Sequence, residues 1–182
     1  MIRPEEAIRV ARSLIGTPYR ELDCINLVKK VIRTAQGGVK NYTTAGTNSL
    51  WKSLTMSKKY RDLTWRQTGI DGACAGMLAF KREGGDVHHV GLVTGEGTVI
   101  HSSSVYGEVV ETALDGTWHL LGVHRYIGIA EMSSLKRAEE TEKKEDSSAD
   151  SISGGCAVTI VDSEENVFFP VGDFRVILGS RD

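Results

Sequence analysis

The sequence predicts an α+β fold, with N-terminal helices packed on a central antiparallel β-sheet. Three observations carry this. Clear helical periodicity runs through residues 4–35, the texture changes to short strand-like runs from Gly76 onward, and Gly-rich turns separate those runs.

Pro4 suits the first position of a helix, and Ala7, Ala11, Leu14 and Ile15 follow at helical spacing until Gly16 supplies a stop, so a helix is expected over roughly residues 4–15. Gly16-Thr17-Pro18-Tyr19 reads as a turn. Asp23 is then an N-cap for a second amphipathic helix marked by Leu27, Val28, Val31, Ile32 and Ala35 and ended by Gly37-Gly38. Residues 39–72 give only a helical hint around Ser49 to Leu54. Strands are expected at Met77 to Phe80, Val87 to Val93, Thr98 to Ser102, Glu108 to Thr112 and Val123 to Ile127. These elements define a domain over residues 1–128. Residues 129–152 are polar and densely charged and read as a linker or solvated helix. Residues 153–182 read as a small β-rich tail, with strand-like runs at Ala157 to Val161 and Val167 to Leu178.

The 182 residues carry 22 basic and 24 acidic side chains, a near-neutral balance that suggests neither nucleic acid nor an anionic membrane as partner. No run approaches the roughly 18 apolar residues of a transmembrane helix. The N-terminus lacks the basic start and apolar stretch of a secretory signal, so with Met1 as the native start no export by the usual route is expected. Cys24, Cys74 and Cys156 are odd in number and widely spaced, favouring neither a disulfide framework nor a thiolate zinc site. Cys74 and Cys156 are expected to be packing residues.

Cys24 falls in the first turn of the second helix, where the partial positive charge and unpaired N–H groups favour a thiolate and can hold an oxyanion. A neighbouring carboxylate, Asp23, opposes the first effect unless it turns away to cap the helix. A buried small hydrophobe is the plain alternative for a lone cysteine. Two histidines on adjacent strands weigh against it. If Gly95-Glu96-Gly97 is a three-residue hairpin loop, Thr94 faces Thr98, Gly91 faces His101, and His89 lies diagonal to His101 on one face, roughly 7–8 Å away. A two-residue loop would put them on opposite faces. In the first register, Cys24 as nucleophile, His89 as base and His101 as the group that fixes the tautomer of His89 form a chain suited to thiol hydrolysis.

The stretch Ala11 to Val28, with Gly-Thr-Pro-Tyr upstream of Asp23-Cys24, resembles the opening of the NlpC/P60 cell-wall cysteine peptidases, which are papain-like thiol hydrolases. Gly76 to Phe80, His89 to Gly95, Val99 to Ser102 and Gly122 to Ile127 resemble later segments of that family in order and spacing, so the likeness covers about residues 7–127. The resemblance implies Cys24, His89 and His101 as the catalytic residues. It also implies Tyr19 as a tyrosine near the thiol and Asp23 as an acidic group able to take a substrate's free amine. Ile25-Asn26, Met77 and Arg20-Glu21-Leu22 depart from the family's common Ser-Gly, Asp and Trp-Gly-Gly, and these changes concern the lining near the nucleophile.

The activity implied is hydrolysis of amide bonds in peptidoglycan stem peptides, typically from γ-D-glutamate to a diamino acid, through an acyl-enzyme and without a cofactor or metal. Two alternatives stand beside it. One is a related thiol amidase or acyltransferase on another substrate; the other is a non-catalytic binding module of a phage tail or cell-wall assembly. Delivery by a phage or by lysis fits the lack of a visible signal, and the tail is a candidate for contact with a wall polymer or another protein.

Overall fold

The computed structural model describes residues 1–130 and the backbone of two short paired strands, β7 (Ile160–Val161) and β8 (Asn166–Val167). The remaining expectations for residues 131–182 lie outside the described residues. Three helices, α1 (Pro4–Arg12), α2 (Cys24–Thr34) and α3 (Thr47–Lys52), precede six strands: β1 (Leu63–Thr68), β2 (Leu78–Glu83), β3 (Asp86–Val93), β4 (Thr98–Ser103), β5 (Glu108–Ala113) and β6 (Leu120–His124). The strands form one antiparallel sheet in the order β1-β6-β2-β3-β4-β5. This is the α+β arrangement expected.

Each helix buries the stripe that its spacing marks. In α2, Leu27, Val28, Val31 and Ile32 are almost fully buried against the sheet, each contributing about 1.5–3 kcal/mol by removal from water. The opposite face of the sheet carries a second core around Met77, Ala79, Val99, Trp118 and Leu121. Arg12 joins α1 to the sheet, bonding Glu111 through Nε and Nη2 at 3.0 and 2.9 Å and Glu96 at 2.8 Å. Among the described residues no helix is long and apolar enough to cross a membrane.

Several boundaries differ from the sequence reading. The first helix stops at Arg12, because Ser13 Oγ bonds the Val10 carbonyl and the chain turns toward Gly16 (φ 83°). Strand β1 was not expected: Leu-Thr-Trp-Arg-Gln-Thr reads as polar because it is an edge strand burying only Leu63 and Trp65 deeply. The last strand is Leu120–His124 rather than Val123 to Ile127. Beyond His124 the chain leaves the sheet, since Arg125 N donates to Asp62 O and Ile127 N turns back to His124 O. Cys74 is disulfide-bonded, not a packing thiol as expected, and Cys156 lies outside the described residues.

Gly76 closes the junction where β2, the N-terminus and the exit from β6 meet. Its φ is 91°, and a Cβ there would stand 2.1 Å from the Gly128 carbonyl oxygen, a backbone atom held by the Gly128 N to Ile2 O bond. Gly76→Ala is therefore expected to lower unfolding stability by about 2–3 kcal/mol, measured by urea denaturation against wild type.

Candidate active site

The segment before α2 is tied to β5 and β4. Gly16 N donates to Val109 O (2.9 Å), Val109 N to Thr17 O (2.9 Å) and Tyr19 N to Gly107 O (2.8 Å), while Ser102 Oγ on β4 donates to Leu22 O. Asp23 then caps α2, its Oδ1 accepting from Asn26 N at 2.8 Å. These bonds set Cys24, 7% exposed, on the first turn of α2 against the sheet.

The expected hairpin register is the one found. Leu92 pairs with Ile100 and Val93 with Val99, with Thr94 N bonded to Thr98 O. Beyond these pairs β3 and β4 part, and the Val90 N–H that would continue the ladder approaches the Cys24 sulfur. Burial pushes the Cys24 thiol above its ordinary pKa, and the charge of Asp23 adds to that. The N–H groups of Val90, Ile25 and Cys24 itself work in the opposite direction.

His89 and His101 lie on the same face and bond directly, His89 Nε2 to His101 Nδ1 at 2.8 Å. His101 Nε2 continues to Thr112 Oγ1 at 3.1 Å. For His89 to accept a proton, its free Nδ1 must be the acceptor. Nε2–H then donates to His101 Nδ1, and His101 Nε2–H donates to the Thr112 hydroxyl, one consistent set of tautomers. Burial, chiefly, holds both imidazoles well below the usual range; Lys81 acts on both, and His101 on His89. The resting pair is thus a neutral thiol and a neutral imidazole. No hydrogen bond joins Cys24 Sγ to His89 in this structure, so their contact would have to tighten when substrate binds. The two are linked through the chain, His89 preceding the Val90 N–H that meets the sulfur.

Trp118, 3% exposed, closes the floor. Its ring lies 5.5 Å from that of His89, tilted by 33°, and 5.2 Å edge-on from that of His101. Gly91 makes room for this: a Cβ there would stand 3.0 Å from His101 Cβ and 3.1 Å from Trp118 Cη2. Lys81, paired with His89 across β2 and β3, places Nζ 4.8 Å from the Trp118 ring centroid and bonds Thr117 Oγ1 at 2.9 Å. Tyr19 is half-buried near the thiol, and after burial the charges of Cys24 and Asp23 raise its hydroxyl pKa. Thr112, Trp118 and Lys81 escaped sequence reasoning. The β3–β2 register would have signalled Lys81 and the β4–β5 register Thr112, which sits diagonal to His101; a turn tryptophan gives no such signal.

A cavity of about 370 Å³ lies on the α1 side, between Pro4, Ile8 and Arg12 and the Thr94–Glu96 turn, and includes none of these groups.

Solved structures share this architecture. RipB, a peptidoglycan hydrolase from Mycobacterium tuberculosis, matches with a TM-score of 0.50 at 20% identity, over 68% of this chain and 65% of its own. The P60 domain of an antigen from M. avium subspecies paratuberculosis matches with a TM-score of 0.50 at 18% identity, over 66% of this chain and 93% of its own. The chain has the NlpC/P60 fold. No family model matches the sequence, and no curated protein does. In this NlpC/P60 fold, α2 brings its first turn to the fork of β3 and β4, which is where Cys24 meets the histidine strands.

Proposed function

We propose that this protein is a cell-wall hydrolase of the NlpC/P60 family, a cysteine endopeptidase cutting amide bonds in peptidoglycan stem peptides, with the γ-D-glutamyl to diamino acid bond as the one cut. The observation that carries the reading is the His89–His101–Thr112 chain beside a buried thiol at a helix start. The fold it shares with a peptidoglycan hydrolase supports the substrate class.

Cys24 Sγ attacks the carbonyl carbon as its proton passes to His89 Nδ1. The imidazolium keeps its Nε2–H bond to His101 and gains from the Trp118 face. The oxyanion takes N–H groups at the start of α2. Collapse expels the amine, which takes the proton from His89, and leaves a thioester on Cys24. Water, deprotonated by His89, then attacks the thioester, releases the carboxylate and restores the thiol. Tyr19 walls the thiol, and the Asp23 oxygen not committed to capping receives a free amine of the substrate.

Mass analysis of purified stem peptides after incubation tests this. The expected products together weigh one water more than the substrate, with one new amine and one new carboxylate, and Cys24→Ala protein forms them only at a residual rate, lower by about 10³-fold or more. Equal cleavage by Cys24→Ala, or acyl transfer without uptake of water, would overturn the reading.

A further inference from the structure

Near-neutral overall charge conceals a sharp segregation along the chain. Between Asp23 and Asp62 there is no acidic residue, while eight of the chain's 22 cations fall there. This segment is α2, α3 and the loops around them, the layer on one face of the sheet. Lys30, Arg33, Lys40, Lys52, Lys58 and Lys59 are exposed; Lys29 and Arg61 are half-buried. Among the described residues none of these eight forms an ion pair, in contrast to Arg9 and Arg12 on α1.

A chain of contacts joins the two ends of this run. Arg33 Nε donates to Tyr42 O at 2.6 Å, Tyr42 and Asp62 interact, Asp62 pairs with Arg125 at 3.7 Å, and Arg125 Nη1 donates to Lys58 O at 3.3 Å. The C-terminal half of α2 and the loop 56–61 therefore border one surface, and the acid at its centre, Asp62, is buried. Met56 and Tyr60 stand exposed on the same loop, with Lys59 Nζ 5.2 Å from the Tyr60 ring. Unpaired like charges held together repel one another and favour a polyanion. They are spread along a helix and a loop rather than converging on a point, so a single phosphate would meet few of them.

We propose that this face binds an extended, flexible phosphodiester polymer, holding the protein to an anionic wall component while the opposite end of α2 carries Cys24. The choice of a wall polymer rests on the function proposed above. A membrane fits less well, because the two exposed apolar side chains sit on a short loop and not on an amphipathic helix. Duplex DNA fits less well, because the acidic excess in the rest of the chain opposes a large rigid polyanion.

Binding of synthetic poly(glycerol phosphate) to full-length Cys24→Ala protein, followed over a range of salt, tests this without reference to hydrolysis. Saturable binding that weakens with salt is expected. The K58Q/K59Q/R61Q variant should reduce the log K against log salt slope by about 2, at roughly 0.7 per lost contact, and weaken binding about tenfold or more. K30Q/K40Q should weaken it in the same sense, and Arg82→Gln on β2 should not. Four results would overturn the proposal: no binding, binding indifferent to both multiple variants, tighter binding to phosphatidylglycerol vesicles or duplex DNA, or binding that appears only after residues 131–182 are removed, which would give the face to the chain's own acidic segment. Failure of wild type to cleave stem peptides leaves this result readable, so the two ideas fall separately.

Discussion

His89→Ala protein is expected to lose at least about 10³-fold in kcat/KM on stem peptides, and the Cys24→Ala/His89→Ala pair to be no worse than Cys24→Ala alone. The first part follows from the protonation states. Burial keeps the thiol above its ordinary pKa, so little thiolate exists at neutral pH without a base to take the proton. The second part follows because groups acting as one unit fail together. Single-turnover cleavage measured on the three variants checks both. Losses that add would mean that His89 acts apart from the thiol, for instance only by shaping the pocket. His101 and Thr112 hold His89 through bonds of 2.8 and 3.1 Å and touch no reacting atom, so substitutions there should cost less than loss of the base itself.

Much of this arrangement was legible in the sequence because short-range rules govern it. Asp23 announces a helix start three residues before the N–H it caps, and Cys24 follows it. The sequence allowed a two- or a three-residue hairpin loop between β3 and β4; the structure has the three-residue loop Gly95-Glu96-Gly97, and strand alternation then puts His89 and His101 on one face. What the sequence hid depends on long-range packing. Trp118 enters the site only because β6 lies beside β2, and because Gly91, far away in the chain, leaves its ring a space. Strand β1 hid for a related reason: at the sheet edge, Arg66 need not face a core, and its guanidinium lies over the Trp51 ring instead, 5.1 Å away. The charge segregation was equally invisible in a whole-chain balance, and it acquires meaning only when α2 and the 56–61 loop are seen to border one surface.

Acid should unfold this protein before it titrates the proposed base. Three imidazoles are held neutral, His101 and His124 buried and His89 half-buried. His124, fully buried on β6, accepts from Tyr126 N through Nδ1 at 3.3 Å and bonds Tyr42 Oη through Nε2 at 3.0 Å. A second proton would have to sit on Nδ1, facing the Tyr126 N–H, and burial pushes the pKa down to about 3 from 6.5. His101 is constrained in the same way by the Nε2–H of His89. Below pH 6.5 the unfolded chain binds protons on these groups and the folded chain does not. Stability is therefore full above that pH and falls as pH drops toward the folded values. For His124 alone the loss at pH 4.5 is about 2–3 kcal/mol, and His89 and His101 act in the same direction. Asp62, whose carboxyl is raised by burial, opposes this as one group against three. Urea midpoints should fall steeply between pH 6.5 and 4.5, and the loss of activity over that range should appear as time-dependent inactivation that tracks them. An instantaneous, fully reversible acid limb near pH 6.5 would instead mean that His89 titrates like an exposed imidazole, and the closed, neutral site described above would have to be abandoned.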